Sequence, residues 1–471
     1  MDISNFIIMK HELLLTIATL ILLIAEIAID NKKKIIPFAV GLFGLHTIYG
    51  FFGNVSGEIF GGMYQNSVLI ILMKNILNIG VFIILLQAST WLLKEENKAR
   101  ISEFFILLFS TLIGMNFMIS SGDFLMFYLG LELATIPMAA LVAYNTDDAK
   151  SSESALKLIM SAAFSSAVML FGVSLMYGQF GSLYFADLLA VDMSAPVTIL
   201  AFIMFISGLA FKISLVPFHF WTADVYEGAP TNVTSYLSVI SKGAAVFIFS
   251  ILLFTVFKSL VSVWSDILYI LAVLTMTIGN LFAIRQSNIK RFLAFSSVAQ
   301  AGFILLGLLG TNELGMATVI YFVLIYVFTN LAAFGVVAAV ENATNKVEIS
   351  DYDGLYHTNP NMSLLMMMAL FSLAGIPPLA GFFGKFFLFT AAAQNGYFWL
   401  ILIAVINVTI SLYYYLMVVK AMFINKNDNP IERIENNLYT KASFIICLVG
   451  IFVLGFYSSI FEYINSVSIG L

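Results

Sequence analysis

Five ionisable residues stand inside stretches that are otherwise apolar: Glu132, Lys157, Lys212, Lys242 and Lys385. A charged side chain at membrane depth is expensive, so each is a functional hypothesis by default. The chemistry open to such a row is proton transfer. Burial disfavours the charged form of a lysine, and a nearby carboxylate favours it. Glu132 lies near the middle of its stretch, in Tyr128-Leu-Gly-Leu-Glu-Leu-Ala-Thr-Ile-Pro137, and needs either a cation or a proton. Lys157, in the next stretch, is its expected partner. Moving these two together or apart would tune Lys212 between holding and releasing a proton. Lys242 and Lys385 would continue the line. The alternative is a static ion pair that locks two helices together.

Polar side chains near the row have two readings. Ser241, Ser296, Ser297, Gln300, Tyr321, Tyr326, Thr329 and Asn330 would hold waters between the lysines, or make ordinary interhelical hydrogen bonds. His219 either lines water or packs. Several other groups read as structural. Lys74 starts an apolar stretch and would snorkel to the surface. Asp224 and Glu227 would brace a helix break, and His46 would pack. The four histidines form no metal-binding pair at helical spacing, and bis-histidine haem ligation is not expected. The single cysteine, Cys447, excludes disulfide frameworks and Cys-based metal or iron–sulfur sites. No phosphate-binding glycine loop occurs.

The elements that must position these residues are membrane helices. The chain is 61% hydrophobic and 10% charged over 471 residues, with mean hydropathy +0.98. That composition belongs to a polytopic membrane protein, and the isoelectric point near 5.4 argues against a nucleic-acid partner. A span needs about 20 apolar residues. Fourteen candidates fall at 11–30, 37–53, 68–93, 101–120, 123–144, 153–178, 196–220, 231–256, 260–283, 289–310, 314–340, 362–393, 397–423 and 441–464. The first reads as a retained span, not a cleaved signal. In the short second one, Gly41, Gly44, Gly50 and Gly53 favour close helix packing. The odd-numbered loops carry fifteen lysines and arginines, and the opposite loops carry only Lys10 and Lys258. The positive-inside rule then places the odd loops in the cytoplasm and both termini outside.

Two segments run past 30 residues with a break in the middle. Residues 196–229 contain Lys212, Pro217 and His219. Residues 362–393 contain Gly375-Ile-Pro-Pro-Leu-Ala-Gly-Phe-Phe-Gly-Lys385. A proline in a helix interior costs about 3 kcal/mol, so each break needs local support. As the seventh and twelfth spans they cross in opposite directions, which points to an inverted repeat with working sites at mid-membrane. The expected architecture is an all-α polytopic membrane protein of about fourteen transmembrane helices. It holds two inverted five-helix repeats with discontinuous helices 7 and 12. The segments are 1–99 (three spans), 100–256 (first repeat), 257–423 (second repeat) and 424–471 (last span).

At these residues the chain resembles the antiporter-like membrane subunits of respiratory complex I, and among them the N type. The stretches that carry the resemblance are Phe211-Lys-Ile-Ser-Leu-Val-Pro-Phe-His-Phe-Trp-Thr-Ala-Asp-Val-Tyr-Glu-Gly-Ala-Pro-Thr231 and Ser241-Lys-Gly-Ala-Ala245. Asn288-Ile-Lys-Arg-Phe-Leu-Ala-Phe-Ser-Ser-Val-Ala-Gln-Ala-Gly-Phe303 and the Gly375–Lys385 run complete it. The resemblance implies that Glu132 and Lys157 are a coupling pair, Lys212 the central proton site, Lys242 the connecting site and Lys385 the exit-side site. It implies no redox group in this chain: flavin mononucleotide, iron–sulfur clusters and quinone would belong to partner subunits. The partners would be other membrane-arm subunits in a bacterial inner membrane, with both termini periplasmic. Two departures stand out. Gln300 replaces a common histidine, so water would serve that step. Met417 replaces a usual arginine. The rival readings are an Mrp-type cation/proton antiporter subunit, the same subunit fed by flavodoxin, F420 or ferredoxin, and a scaffold with static ion pairs.

Overall fold

The structure is a computed structural model that describes residues 3–53, 55–189 and 191–469. The two termini expected outside the membrane, residues 1 and 471, lie outside the described residues. Long apolar runs without water to bond their backbones fold into helices that satisfy those groups internally. Three helices come first, α1 (Lys10–Ala28), α2 (Ile35–Tyr49) and α3 (Val68–Leu92). Between α2 and α3 runs a short antiparallel hairpin, β1 (Gly57–Ile59) and β2 (Tyr64–Asn66), with Gly57 opposite Asn66. Then follow α4 (Ile101–Ile119), α5 (Phe124–Val142), α6 (Ala149–Phe180), α7 (Pro196–Ile213), α8 (Phe220–Gly228) and α9 (Thr231–Phe254). The next set is α10 (Val261–Ile284), α11 (Ile289–Leu308), α12 (Glu313–Thr344), α13 (Pro360–Ala374), α14 (Ala380–Gln394) and α15 (Phe398–Phe423). Helices α16 (Leu438–Phe456) and α17 (Ser459–Ser468) follow.

Among the described residues, twelve helices are long and apolar enough to cross a membrane. The stretches expected as the second and twelfth spans hold shorter helices. The second is α2, a helix of 15 residues. The twelfth is the pair α13 and α14, each of 15 residues. The segment expected at 441–464 is interrupted at Tyr457 and Ser458. There Gly455 packs against the Pro378 carbonyl, where a Cβ would come within 2.7 Å. Polar caps begin many of the helices: Ser67, Asp123, Asp148, Asn288, Asn312 and Asn437 each accept a backbone N–H from the first turn. Helices α9, α11 and α12 are almost wholly buried, while most of α6, α15 and α16 is not.

Of the four glycines expected to favour close packing, two do: a Cβ on Gly50 would fall 2.4 Å from Asn75 Oδ1, and one on Gly44 would fall 3.2 Å from the Phe82 ring. Gly41 and Gly53 face open space. By contrast, a Cβ on Gly130 of α5 would lie 2.5 Å from the Met118 nitrogen of α4, and one on Gly114 would lie 2.4 Å from the Ala134 nitrogen. These two glycines let the α4 and α5 backbones touch.

Candidate functional site

Both helix breaks are supported where the chain needs it. Helix α7 ends at Ser214, whose φ of 67° is left-handed, and the Leu215 nitrogen bonds back to the Ala210 carbonyl at 2.8 Å. Helix α13 ends in the same way at Gly375, φ 87°, with the Ile376 nitrogen on the Phe371 carbonyl at 3.0 Å. A serine tolerates this conformation less well than glycine. Further bonds hold the first break: Thr275 accepts the Val216 N–H at 3.0 Å, and the Trp221 indole donates to the Phe211 carbonyl at 3.1 Å. At the second, the Gly381 N–H donates to Ser372 Oγ at 3.1 Å.

Lys212 sits in the last turn of α7 and is buried. Its Nζ donates to Thr135 Oγ1 at 2.7 Å, and Thr135 donates on to the Leu131 carbonyl at 2.6 Å. The carboxylate in electrostatic reach of Lys212 is Glu132, on the same helix three residues before Thr135. Glu132 accepts a hydrogen bond from Ser166 of α6 at 2.7 Å. Neither Thr135 nor Ser166 was expected.

The expected Glu132–Lys157 pair is not formed. Lys157 is 43% exposed and pairs with Glu153 at 2.7 Å and Asp224 at 2.8 Å. The reason is direction. Lysines on a helix lean toward its N-terminus, which here carries Lys157 toward α8. Glu132 is held at Ser166, nine residues further on and about 13 Å along α6. The break is braced as expected: Arg291 of α11 holds Asp224 and Glu227, both at 2.8 Å, and Lys150 approaches Glu227 at 3.4 Å. Burial opposes the charge on Asp224 and Glu227. Their hydrogen bonds to cations nonetheless hold both carboxyls below the ordinary range. Lys290, in the first turn of α11, is buried and bonds the Ala229 carbonyl at 2.8 Å and Glu341 at 3.2 Å.

Lys242 follows a π-helical turn, Leu237–Ser241, that no residue type announces. Its Nζ donates to Ser297 Oγ at 2.8 Å and the Ser297 carbonyl at 3.2 Å. Lys385 turns back from α14 to the open carbonyl end of α13, donating to Leu373 at 2.7 Å and Ala374 at 3.2 Å. Its ammonium also lies 4.6 Å from the centre of the Phe303 ring. Gln300 shares the Leu373 carbonyl at 3.0 Å and reaches Tyr415 Oη at 3.2 Å, which meets Ser296 at 2.6 Å. Two small cavities lie between the lysines, each with room for about one water. One touches Lys242 and Ser297, the other Lys385 and Ser372, and Gln300 with Tyr326 stands between them. Asn330 and Tyr326 bond each other and Ser238 instead of the lysines. Tyr321 bonds the Leu454 carbonyl, away from the row. His219 is buried against Phe220 and Phe282.

A second charged centre departs from its expected place. Lys74 does not snorkel: it is 0% exposed and pairs with Glu12 of α1 at 2.6 Å. Tyr64 bridges the two, 2.8 Å from Glu12 and 2.9 Å from Lys74. The carboxylate partner lies 62 residues earlier in the chain, so neither neighbour nor spacing marks it.

Residues 121–411 match the family described as NADH:quinone oxidoreductase/Mrp antiporter, TM. The chain belongs to this family. The matched stretch contains all five residues of the row and ends before α16; Glu12 and Lys74 fall outside it. The chain is 47% identical over the whole of both proteins to NADH-quinone oxidoreductase subunit N of Phocaeicola vulgatus. Its fold matches a chain of respiratory complex I from Thermus thermophilus with TM-score 0.78 and 27% identity, over 95% of this chain and 97% of that one. A chain of the Mrp complex from Dietzia sp. DQ12-45-1b matches with TM-score 0.87 and 19% identity, over 97% and 96%. That last likeness is one of fold.

Proposed function

We propose that this chain is a proton-translocating, non-redox subunit in the membrane arm of a bacterial NADH–quinone oxidoreductase. The observation that carries the reading is the buried lysine row with water-sized cavities on both sides of Gln300. Its full-length likeness to a subunit N favours this assembly over the Mrp type. Protons move between Lys242 and Lys385 through Ser297, Gln300 and one or two waters. Lys212 exchanges its proton through Thr135 under the field of Glu132. Lys157 leaves Glu153 and Asp224 for Glu132 in a second state, and this exchange of partners is the coupling step. Each proton carried against 100 mV costs about 2.3 kcal/mol, which quinone reduction elsewhere in the complex must supply. Flavin mononucleotide, iron–sulfur clusters and quinone belong to the partner subunits.

The architecture in this reading is fourteen spans with two inverted five-helix units, at 100–256 and 257–423, preceded by 1–99 and followed by 424–471. Matching element lengths support it. The third helix of each unit, α6 and α12, has 32 residues, and the fourth is broken after a left-handed residue. The lysine-rich loops face the cytoplasm and both termini face the periplasm. The test is Lys212→Ala in the assembled complex, in inverted membrane vesicles. Donor-driven quinone reduction and proton uptake are expected to collapse together while a native gel shows the complex intact. Wild-type values for both would refute the lysine row as a proton path.

A further inference from the structure

The N-terminal helices hold a second set of ionisable groups that the lysine row does not use. Glu12, Tyr64 and Lys74 form a closed ring: Lys74 donates to Glu12 Oε1 at 2.6 Å and to Tyr64 Oη at 2.9 Å, and Tyr64 donates to Glu12 Oε2 at 2.8 Å. Beside the ring, the buried imidazoles of His11 and His46 meet edge to face, 5.9 Å apart. A Cβ on Gly50 would fall 2.4 Å from Asn75 Oδ1 and 2.9 Å from His11, so α1, α2 and α3 converge here. The ionisable groups facing one another are Lys10, His11 and Glu12 from α1, His46 from α2, Tyr64 from β2 and Lys74 from α3. Helix α4 adds the Ser120 hydroxyl. Lys10 is turned to the Phe52 and Gly53 carbonyls.

The polar atoms left over point to a ligand. Both ring nitrogens of His11 and Asn75 Oδ1 are buried without a hydrogen-bond partner, and His46 and Asn78, which lie against each other, leave further polar atoms unbonded. Buried polar groups in folded proteins are almost always bonded, to protein or to water. Among the described residues no group of His, Cys, Asp and Glu is arranged to hold a metal ion. Water and the proton are the ligands that fit acceptors and donors mixed in this way.

We propose that Glu12, Tyr64 and Lys74, with His11 and His46, form a second, hydrated proton-exchange site in the N-terminal helices, separate from the lysine row. The ring allows a balanced step. A Lys74 N–H bond breaks as a Tyr64 O–H bond forms, and the proton Tyr64 held passes to Glu12 Oε2. The ring is neutral before and after, so the transfer moves no net charge in a low-dielectric interior. The site goes beyond the function proposed above, and rests on it only in that proton uptake is the readout.

The test uses the assembled complex in sealed inverted vesicles, with proton uptake and quinone reduction recorded together across pH. Glu12→Gln/Lys74→Met removes both charges and leaves no ion unpaired. Tyr64→Phe keeps the ion pair and removes only the bridging hydroxyl. In both, uptake per quinone reduced is expected to fall about twofold or more, and its pH profile to shift by about one unit or more. Assembly with wild-type uptake and profile in Tyr64→Phe overturns the proposal and makes the pair a static lock; this variant decides alone where the double variant does not assemble. Lys212→Ala run in parallel separates the two readings. Collapse there, with wild-type behaviour in the N-terminal variants, sinks this site only. Loss in the N-terminal variants with uptake surviving Lys212→Ala supports this site and refutes the lysine row.

Discussion

Stripping Arg291 of its carboxylates is a perturbation whose size and pH dependence both follow from the structure. Arg291 joins α11 to α8 through one nitrogen shared by Asp224 and Glu227, each at 2.8 Å. The three side chains are 29%, 38% and 25% exposed, so water screens them. Each pair is then worth about 0.5–1 kcal/mol. Asp224→Asn should cost about that much for its Arg291 pair, because Glu227 keeps the guanidinium bound, and it also frees Lys157. Asp224→Asn/Glu227→Gln should cost about 1–2 kcal/mol for the two Arg291 pairs, and it also frees Lys157 and Lys150. The sign of the pH effect is fixed. Both carboxyls sit below their ordinary values of 3.8 and 4.5, so their contribution is complete above the ordinary carboxylate range. It is lost as pH falls through their lower folded values. Thermal unfolding of the purified complex, followed by release of this chain on native gels, should show the variants' deficit unchanged from pH 6 to 8. The deficit should shrink as pH falls below the ordinary carboxylate range, where the wild type begins to lose the same pairs. A deficit that persists undiminished in acid, or that grows between pH 6 and 8, would show that the pairs do not act as described.

Two further outcomes follow from the packing and the cavities. Gly130→Ala places a Cβ between two backbones, 2.5 Å from the Met118 nitrogen and 2.8 Å from the Gly114 carbonyl, neither of which can rotate away. It should cost about 1–3 kcal/mol and displace α5, so that assembly on native gels and proton uptake fall together. Gln300→Leu keeps the bulk but removes the amide between the two cavities, and should cut proton uptake about tenfold with the complex intact. Gln300→His should retain uptake, and wild-type uptake in Gln300→Leu would rule out passage at this point.

The burial of Lys212, Lys242 and Lys385 was legible because a charge in an apolar run is costly enough to be seen without a structure, whereas Lys157 proves to be 43% exposed. The breaks were legible for the same reason: proline in mid-span costs too much to stand inside an unbroken helix. What could not be read was pairing. Lys157 and Glu132 occupy adjacent spans, yet the lean of the side chains sends Lys157 to Asp224, 67 residues away. Lys74 lies near the start of its helix, which resembles a snorkelling position until Glu12 and Tyr64 arrive from other elements. Thr135, Ser166 and Tyr415 carry no signal, since hydroxyls are ordinary at helix interfaces. The π turn before Lys242 is a matter of hydrogen-bond register, and composition does not record it.

Lys212 and Lys385 share a placement that bears on how a buried lysine can be both stable and labile. Lys212 occupies the last turn of one half-helix. Lys385 reaches the last carbonyls of the half-helix before its own. Both therefore sit at the negative end of a helix, where a cation gains about 0.3–1 kcal/mol, and up to about 2 when partly buried. A carboxylate in direct contact inside the membrane would attract the ammonium far more strongly and would pin the proton. A carbonyl end or a hydroxyl holds the charge without a counter-ion, so a modest change nearby can release it. Breaking the helix next to the lysine is what creates this environment, and it accounts for a proline and a left-handed residue at both sites. Lys74 has the opposite arrangement, with its carboxylate in contact. There a proton moves by exchange within the ring and not by release, and the hydroxyl of Tyr64 becomes the group on which exchange depends.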